Sequence, residues 1–320
     1  MLLVVAVFVS VTLFSSLASA SDAANTLKIT PLRTDVEIEP GQTKIVKVTV
    51  TNPGSQPIKV RPVANDFIAG DNSGTPALIL DELSFAPTHS LKRFMGPLSE
   101  VEVPANSSKT INVTITIPSE AQAGGYFGAV RLAPSTPDGG GQVNTSANVA
   151  SLILLSVPGD IVEKLELTDF ALRQDDKTGS SFGTPDGLNI QFGFQNKGNI
   201  QIGPFGKVSV KSGKEVIYEA DFNNKNPRDV ILPDSTREWA IPLENVGTFG
   251  KYSVIATFTY GKKNQTIEVV REFWIIPQYM IIAAIVLGAL LIVGIIVTVV
   301  VIAKRRKRRS RTPSGGRRRR

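Results

Sequence analysis

The 320-residue chain contains no cysteine and a single histidine. The first absence excludes disulfide staples, Cys-ligated zinc, a lipid-modified cysteine and a thiol nucleophile. Any exported part must hold together by packing alone. The second absence leaves little for acid–base chemistry. His89, in Ala86-Pro87-Thr88-His89-Ser90, has no cysteine to work with, and a neighbouring serine on a strand would point to the opposite face. No G-x-S-x-G elbow is present. His89 is read as an ordinary loop residue, no catalytic, cofactor-binding or metal-binding residue is assigned, and a non-enzymatic protein with no cofactor is expected. Sustained helical periodicity is also missing before residue 277.

Charge is missing from one long stretch. Met280 to Ala303 is an apolar run of 24 residues that stops at Lys304-Arg305-Arg306-Lys307-Arg308-Arg309. At about 1.5 Å per residue such a helix spans roughly 36 Å, enough for a hydrocarbon core of about 30 Å. Lys and Arg beside a span stay cytoplasmic, so residues before it are expected outside the cell. With no ionisable group inside, the span is an anchor and not a transport path. Ala284 and Gly288 have the small-xxx-small spacing of helix dimers, a weak signal when it occurs once. At the other end, Leu2 to Ala18 is apolar and Ala18-Ser19-Ala20 fits a cleavage site, so residues 1–20 read as a signal peptide. Its first residues lack Lys and Arg, and an uncleaved first span is the alternative.

The net charge of +7 is unevenly placed. Residues 304–320 hold 11 basic residues and no acid, leaving 24 basic against 28 acidic residues elsewhere. The exported part is therefore mildly acidic and carries no nucleic-acid footprint. The tail is a topology signal that attracts anionic lipid, and Ser310-Arg311-Thr312-Pro313-Ser314 holds hydroxyls whose phosphorylation would weaken that attraction.

Between the two ends the pattern has period two, punctuated by turns, which marks β-strands. Lys44 to Val50 alternates after the turn Glu39-Pro40-Gly41-Gln42. Ile58 to Val63 alternates after Asn52-Pro53-Gly54-Ser55-Gln56-Pro57. Thr110 to Ile117 puts four apolar side chains on one face, and Tyr126 to Leu132 follows a Gly-Gly break. Val149 to Val157 is apolar enough for a strand covered on both faces. Pro134 to Gly141 reads as a hairpin tip. Beyond Pro158-Gly159-Asp160, Lys164 to Leu167, Leu188 to Phe194, Lys207 to Lys211, Glu215 to Tyr218, Trp239 to Leu243, Tyr252 to Tyr260 and Thr266 to Val270 follow. Arg173 to Gly187 reads as a polar loop and Ser212-Gly213 as a hairpin turn.

Strands at this spacing without helices predict an all-β ectodomain: two immunoglobulin-like sandwiches in tandem, then one transmembrane helix. The expected divisions are 21–158 and 159–276 for the sandwiches, 277–303 for the membrane-proximal segment and span, and 304–320 for the cytoplasmic tail. Trp274 and Tyr279 fall where an aromatic belt would lie, although Phe273 and Trp274 also fit the end of a last strand.

Other motifs are weak. Asp66, Asp71-Asn72-Ser73-Gly74 and Asp81-Glu82 concentrate oxygen ligands but lack an EF-hand pattern. Four N-x-[ST] sequons, at Asn106, Asn112, Asn144 and Asn264, carry little weight among 16 asparagines. Leu232-Pro233-Asp234-Ser235-Thr236 superficially suggests a sortase motif but reads as a turn inside a domain.

The order of parts resembles the WxL-interacting surface proteins of Gram-positive bacteria. The likeness rests on Ile29-Thr30-Pro31-Leu32-Arg33 through Glu39-Pro40-Gly41-Gln42-Thr43, Val48 to Asn52, Ile117-Pro118 to Val130, Asn196 to Ile200 with Pro204 to Val208, and Gly250 to Gly261. It implies a peptidoglycan-binding first domain, a second β-domain, one span and a basic tail, and it names no binding residue. The expected protein is a single-pass cell-surface binding or adhesion protein in the plasma membrane, with extracellular domains and a cytoplasmic tail. Its partners would be membrane lipid and wall polymer or a surface protein. The alternative is a structural or accessory subunit of a membrane-associated export or pilus complex. The loops Asn65 to Ala77 and Pro134 to Asn148 are the candidate binding surfaces.

Overall fold

A computed structural model describes residues 27–134, 149–175 and 177–309. The expected signal peptide, most of the Pro134–Asn148 loop with Asn144, and Ser310 to Ser314 lie outside them. The chain forms two compact units, one of Met1–Ile68 with Ala77–Asp160, the other of Ala69–Pro76 with Ile161–Arg320.

The first unit holds β1 (Lys28–Thr30), β2 (Arg33–Glu37), β3 (Thr43–Asn52), β4 (Ile58–Ala69), β5 (Pro76–Leu78), β6 (Val101–Val103), β7 (Ser107–Thr116), β8 (Gly124–Pro134) and β9 (Ala150–Val157). One sheet runs β1-β3-β7; the other runs β2-β9-β8-β4-β5, with β6 beside β4. The alternation read from the sequence is the inner face. Val46, Val48 and Val50 of β3 and Ile111, Val113 and Ile115 of β7 are buried in one core, paired as Val46↔Val113 and Val48↔Ile111. β9 lies between β2 and β8, and its Leu154 and Leu155 are both buried although they face opposite ways, Leu155 in the core between the sheets. At Pro31-Leu32 the chain passes from one sheet to the other. The Ser151 hydroxyl donates to the Pro31 carbonyl at 2.6 Å, and Leu152 N–H donates to the Leu32 carbonyl. β2 then pairs with β9 in parallel.

The second unit holds β10 (Leu165–Gln174), β11 (Lys177–Gly179), β12 (Ser181–Phe182), β13 (Asn189–Asn196), β14 (Phe205–Ser212), β15 (Glu215–Phe222), β16 (Thr236–Pro242), β17 (Gly250–Tyr260) and β18 (Gln265–Ile275). Its sheets run β11-β10-β13-β16 and β12-β18-β17-β14-β15. The core is aromatic: Phe192, Phe194, Phe222 and Phe258 meet at centroid distances of 4.9 to 5.9 Å, with Trp239 against them.

The two units repeat one topology. β1-β3-β7 corresponds to β10-β13-β16, and β2-β9-β8-β4-β5 to β12-β18-β17-β14-β15, each with one parallel pair. Both are immunoglobulin-type sandwiches.

Three local expectations need correction. The polar loop Arg173 to Gly187 contains the end of β10, all of β11 and all of β12. Lys177, Thr178 and Gly179 are exposed on an edge strand, so no alternation marks them. The hairpin turn after β14 is Gly213-Lys214, because Ser212 pairs with Glu215 and Gly213 takes φ 59°. β18 extends past Val270 to Ile275, burying Phe273 in the core while Trp274 faces outward at 44% exposure. Beyond it, α1 (Gln278–Arg309) is the one helix among the described residues long and apolar enough to cross a membrane.

Candidate functional site

The repeat isolates what is particular to each domain. β15 and β16 are joined by residues 223–235, whereas β5 and β7 are joined by residues 79–106. This longer excursion of the first unit carries a 3-10 turn at Lys92–Phe94 and most of the unusual side-chain chemistry.

Asp66 organises it. This carboxylate lies at the end of β4, fully buried, and accepts three hydrogen bonds from the excursion: Ala86 N–H at 2.9 Å, the Ser90 hydroxyl at 2.6 Å and Lys92 N–H at 2.8 Å. A buried carboxylate is tolerated when its lone pairs are filled in this way. Met95 bridges to Ile115 and Ser90 to Phe127, so the segment links both sheets. Leu91, fully buried, joins the core at Gly128; a Cβ on Gly128 would come to 3.0 Å from Leu91 Cβ.

A charged cluster pins the outer part. Arg61 grips Glu82 with two bonds of 2.9 and 2.7 Å. Arg131 donates to Asn65 Oδ1 at 3.1 Å and approaches Glu82 at 3.9 Å. The hydrogen bond from Arg61 holds the Glu82 carboxyl below the usual range, and the same bond raises Arg61. The Lys92 ammonium donates to the carbonyls of Glu82 and Ser84.

The outcome is a platform. Phe85 is 42% exposed, with Lys92 Nζ 4.8 Å and the Arg93 guanidinium 4.5 Å from its ring centre. Leu80 and Leu83 project beside it in sequence at 60% and 87% exposure. An exposed aromatic flanked by cations suits a ligand with both apolar ring faces and carboxylates.

The residues singled out from sequence fall in different places. His89 is a half-buried loop residue with φ 58°, its Nδ1 2.6 Å from the Gly125 carbonyl oxygen and its ring beside Tyr126 and Phe127. Asp71 closes its own turn onto Ser73 and Thr75, and that contact, chiefly with the Ser73 hydroxyl, lowers its pKa. Asp81 caps Leu83 and Ser84. The acidic residues of the thin calcium lead are thus spread over separate tasks, and no group of three or more metal-ligating side chains converges among the described residues. Of the loop Asn65 to Ala77, residues 69–76 belong to the second unit, where Asn72 donates to Glu238. Asp234 and Ser235 form a turn, with Ser235 N–H on the Leu232 carbonyl. Asn112 is exposed in the middle of β7. Sequence reading missed Asp66 as an organiser and passed over Phe85 and Arg93, since a cation separated from an isolated phenylalanine by irregular chain gives no recognisable motif.

The described chain is thus two immunoglobulin-type sandwiches, the first bearing an elaborated platform, followed by one helix long and apolar enough to cross a membrane. Residues 34–133, within the first domain, match the model described as WxL Interacting Protein, peptidoglycan binding domain. The match spans β2 to β8 and includes the whole platform. A comparison with curated proteins found no match. Among solved structures, the chain is similar to the class 5 fimbriae chaperone CfaA, at 14% identity and TM-score 0.38 over 78% of this chain and 99% of that one. It is also similar to the E. coli chaperone DraB, at 14% identity and TM-score 0.34 over 78% and 98%.

Proposed function

We infer that the protein is a single-pass surface protein that holds cell-wall polymer through its first domain. One observation carries the reading: the peptidoglycan-binding family match falls on the unit that bears the platform. Peptidoglycan offers sugar rings with apolar faces and peptide stems with carboxylates. Phe85 supplies a ring to lie against the former, and the exposed Arg93 supplies charge for the latter. The apolar helix α1 and the basic residues at its end support an orientation with the domains outside the cell and the tail inside, because Lys and Arg beside a span stay cytoplasmic.

The test is co-sedimentation of the ectodomain with purified sacculi. Phe85→Ser and Arg93→Ser are expected to lower the bound fraction several-fold without shifting the melting temperature. Wild-type protein left in the supernatant would sink the wall-binding reading. Protease added to intact cells should digest both sandwiches and spare the tail; the opposite pattern would overturn the orientation.

A further inference from the structure

The helix-proximal end of the second unit carries apolar side chains that its core does not use. β17 and β18 pair as Gly250↔Ile275 and Lys251↔Trp274, so Phe249 stands beside the strand end that leads into α1. Phe249 is 54% exposed, Trp274 44% and Tyr279 69%. The loop bearing Phe249 is braced. The Tyr252 hydroxyl donates to the Phe249 carbonyl at 3.0 Å, Tyr252 stacks on the buried Phe273 at 5.4 Å, and a Cβ on Gly247 would strike the Tyr252 hydroxyl at 2.6 Å. An exposed phenylalanine on a fixed loop is not a by-product of a floppy one.

Beside it lies a cavity of about 660 Å³ lined by Gln174, Gly183, Thr184, Pro185, Thr248, Pro277, Gln278 and Tyr279. The parallel pair β12–β18 brings Gly183 here, where a Cβ would sit 3.8 Å from Gln278 Cγ. The cavity's polar groups are amide, hydroxyl and phenol, set beside the rings of Pro185 and Pro277, and no charged residue lines it. It is continuous with the first turn of the helix, where Met280 N–H donates to the Pro277 carbonyl.

We propose that this end is a lipid-headgroup site: the bilayer surface covers it, Phe249 and Trp274 enter the interfacial layer, and the cavity takes a neutral, hydroxyl-rich headgroup such as a sugar. Aromatic side chains with an apolar body and polar edge partition to that layer. An uncharged hydrogen-bonding cavity suits hydroxyls, whereas a phosphate would call for cations. The site rests on the reading of α1 as a membrane span.

The chain has two tryptophans, Trp239 and Trp274, so Trp239→Phe leaves Trp274 as sole reporter. The full-length variant is placed in vesicles of phosphatidylglycerol with or without a glucosyl diacylglycerol. Lipids brominated high on the acyl chains should quench Trp274 several-fold, and Phe249→Ser should relieve much of that quenching. Native mass spectrometry should find the glycolipid retained several-fold over phosphatidylglycerol, with the preference lost in Thr248→Trp, which fills the cavity. A retained melting transition in each variant separates these effects from misfolding. Unquenched Trp274 would overturn the membrane contact, and equal retention of both lipids would overturn the headgroup assignment. Failure of the protein to float with vesicles would instead overturn the spanning reading itself. Wall polymer is absent throughout, so the outcome does not depend on the wall-binding reading.

Discussion

Asn52 and Asn196 occupy equivalent positions in the two sandwiches and close their turns through the same Oδ1 bond. Each ends a strand with a neighbour on both sides in its sheet, β3 between β1 and β7 or β13 between β10 and β16, and each is fully buried. Asn52 Oδ1 accepts from Gly54 N–H while its amide donates to the carbonyls of Gln56, Val103 and Pro104. Asn196 Oδ1 accepts from Gly198 N–H while its amide donates to the carbonyls of Ile200 and Ile231. In both, a side chain ties the turn leaving one strand to a distant segment.

Replacing either asparagine with alanine is expected to destabilise its domain by about 3 kcal/mol, since two or three buried carbonyls lose their donor. Urea unfolding of each variant measures this. Asparagine-to-aspartate keeps the shape and removes the donor, so it should cost at least as much. A near-neutral aspartate variant would contradict the role of the amide.

Asp66→Asn should loosen the platform from within. The amide keeps one acceptor oxygen and turns N–H groups toward donors at the other position, either Lys92 N–H at Oδ1 or Ala86 N–H and the Ser90 hydroxyl at Oδ2. A loss of about 2 kcal/mol is expected, with hydrogen exchange accelerating at the Ala86 and Lys92 amides before the rest of the domain.

Leu91 and Gly128 should behave as a coupled pair. Leu91→Ala empties a fully buried site, at a cost of about 2–5 kcal/mol. Gly128→Ala places a methyl against Leu91 Cβ, Cγ and Cδ2 at 3.0 to 3.2 Å. The double variant removes two of those three contacts, so it should be less destabilised than the sum of the singles. Strict additivity would show that the segment relaxes elsewhere.

Acid should release the outer platform first. Glu82 has its pKa lowered chiefly by the Arg61 hydrogen bond. A depressed carboxylate contributes stability that is present above its unfolded value and is lost as pH falls through the lowered one. Between the ordinary glutamate pKa of about 4.3 and that lower value, residues 79–85 should lose exchange protection while β3 and β7 keep theirs. The Glu82→Gln variant should shrink the pH dependence to the part carried by Asp81, whose carboxyl is also held low, chiefly by the Ser84 hydroxyl.

Much of the fold was legible because its long strands each bury one face. Ile111, Val113, Ile115 and Ile117 stand in strict alternation, and so do Val46, Val48 and Val50. The platform was not legible, because residues 79–106 pack through backbone hydrogen bonds onto one carboxylate and follow no period. Asp66 invited a metal reading from sequence; its partners turned out to be amides and a hydroxyl from its own chain. The duplication left a trace that sequence reading did not use: Asn52-Pro53-Gly54 and Asn196-Lys197-Gly198 share the N-x-G core of the buried turn. Trp274 shows the limit of a local motif. It continues a strand and still faces outward, because its neighbour Phe273 takes the inward position.

β18 is paired with β17 along all eleven of its residues, from Ile275↔Gly250 to Gln265↔Tyr260, and it continues through Pro277 into α1. Any load that enters the second domain through α1 must pass through this strand. A pull along a strand loads every rung of its ladder together, whereas a pull across it opens them one after another. Loaded along its length, β18 can part from β17 only through the shear strength of the whole seam, eleven paired residues long.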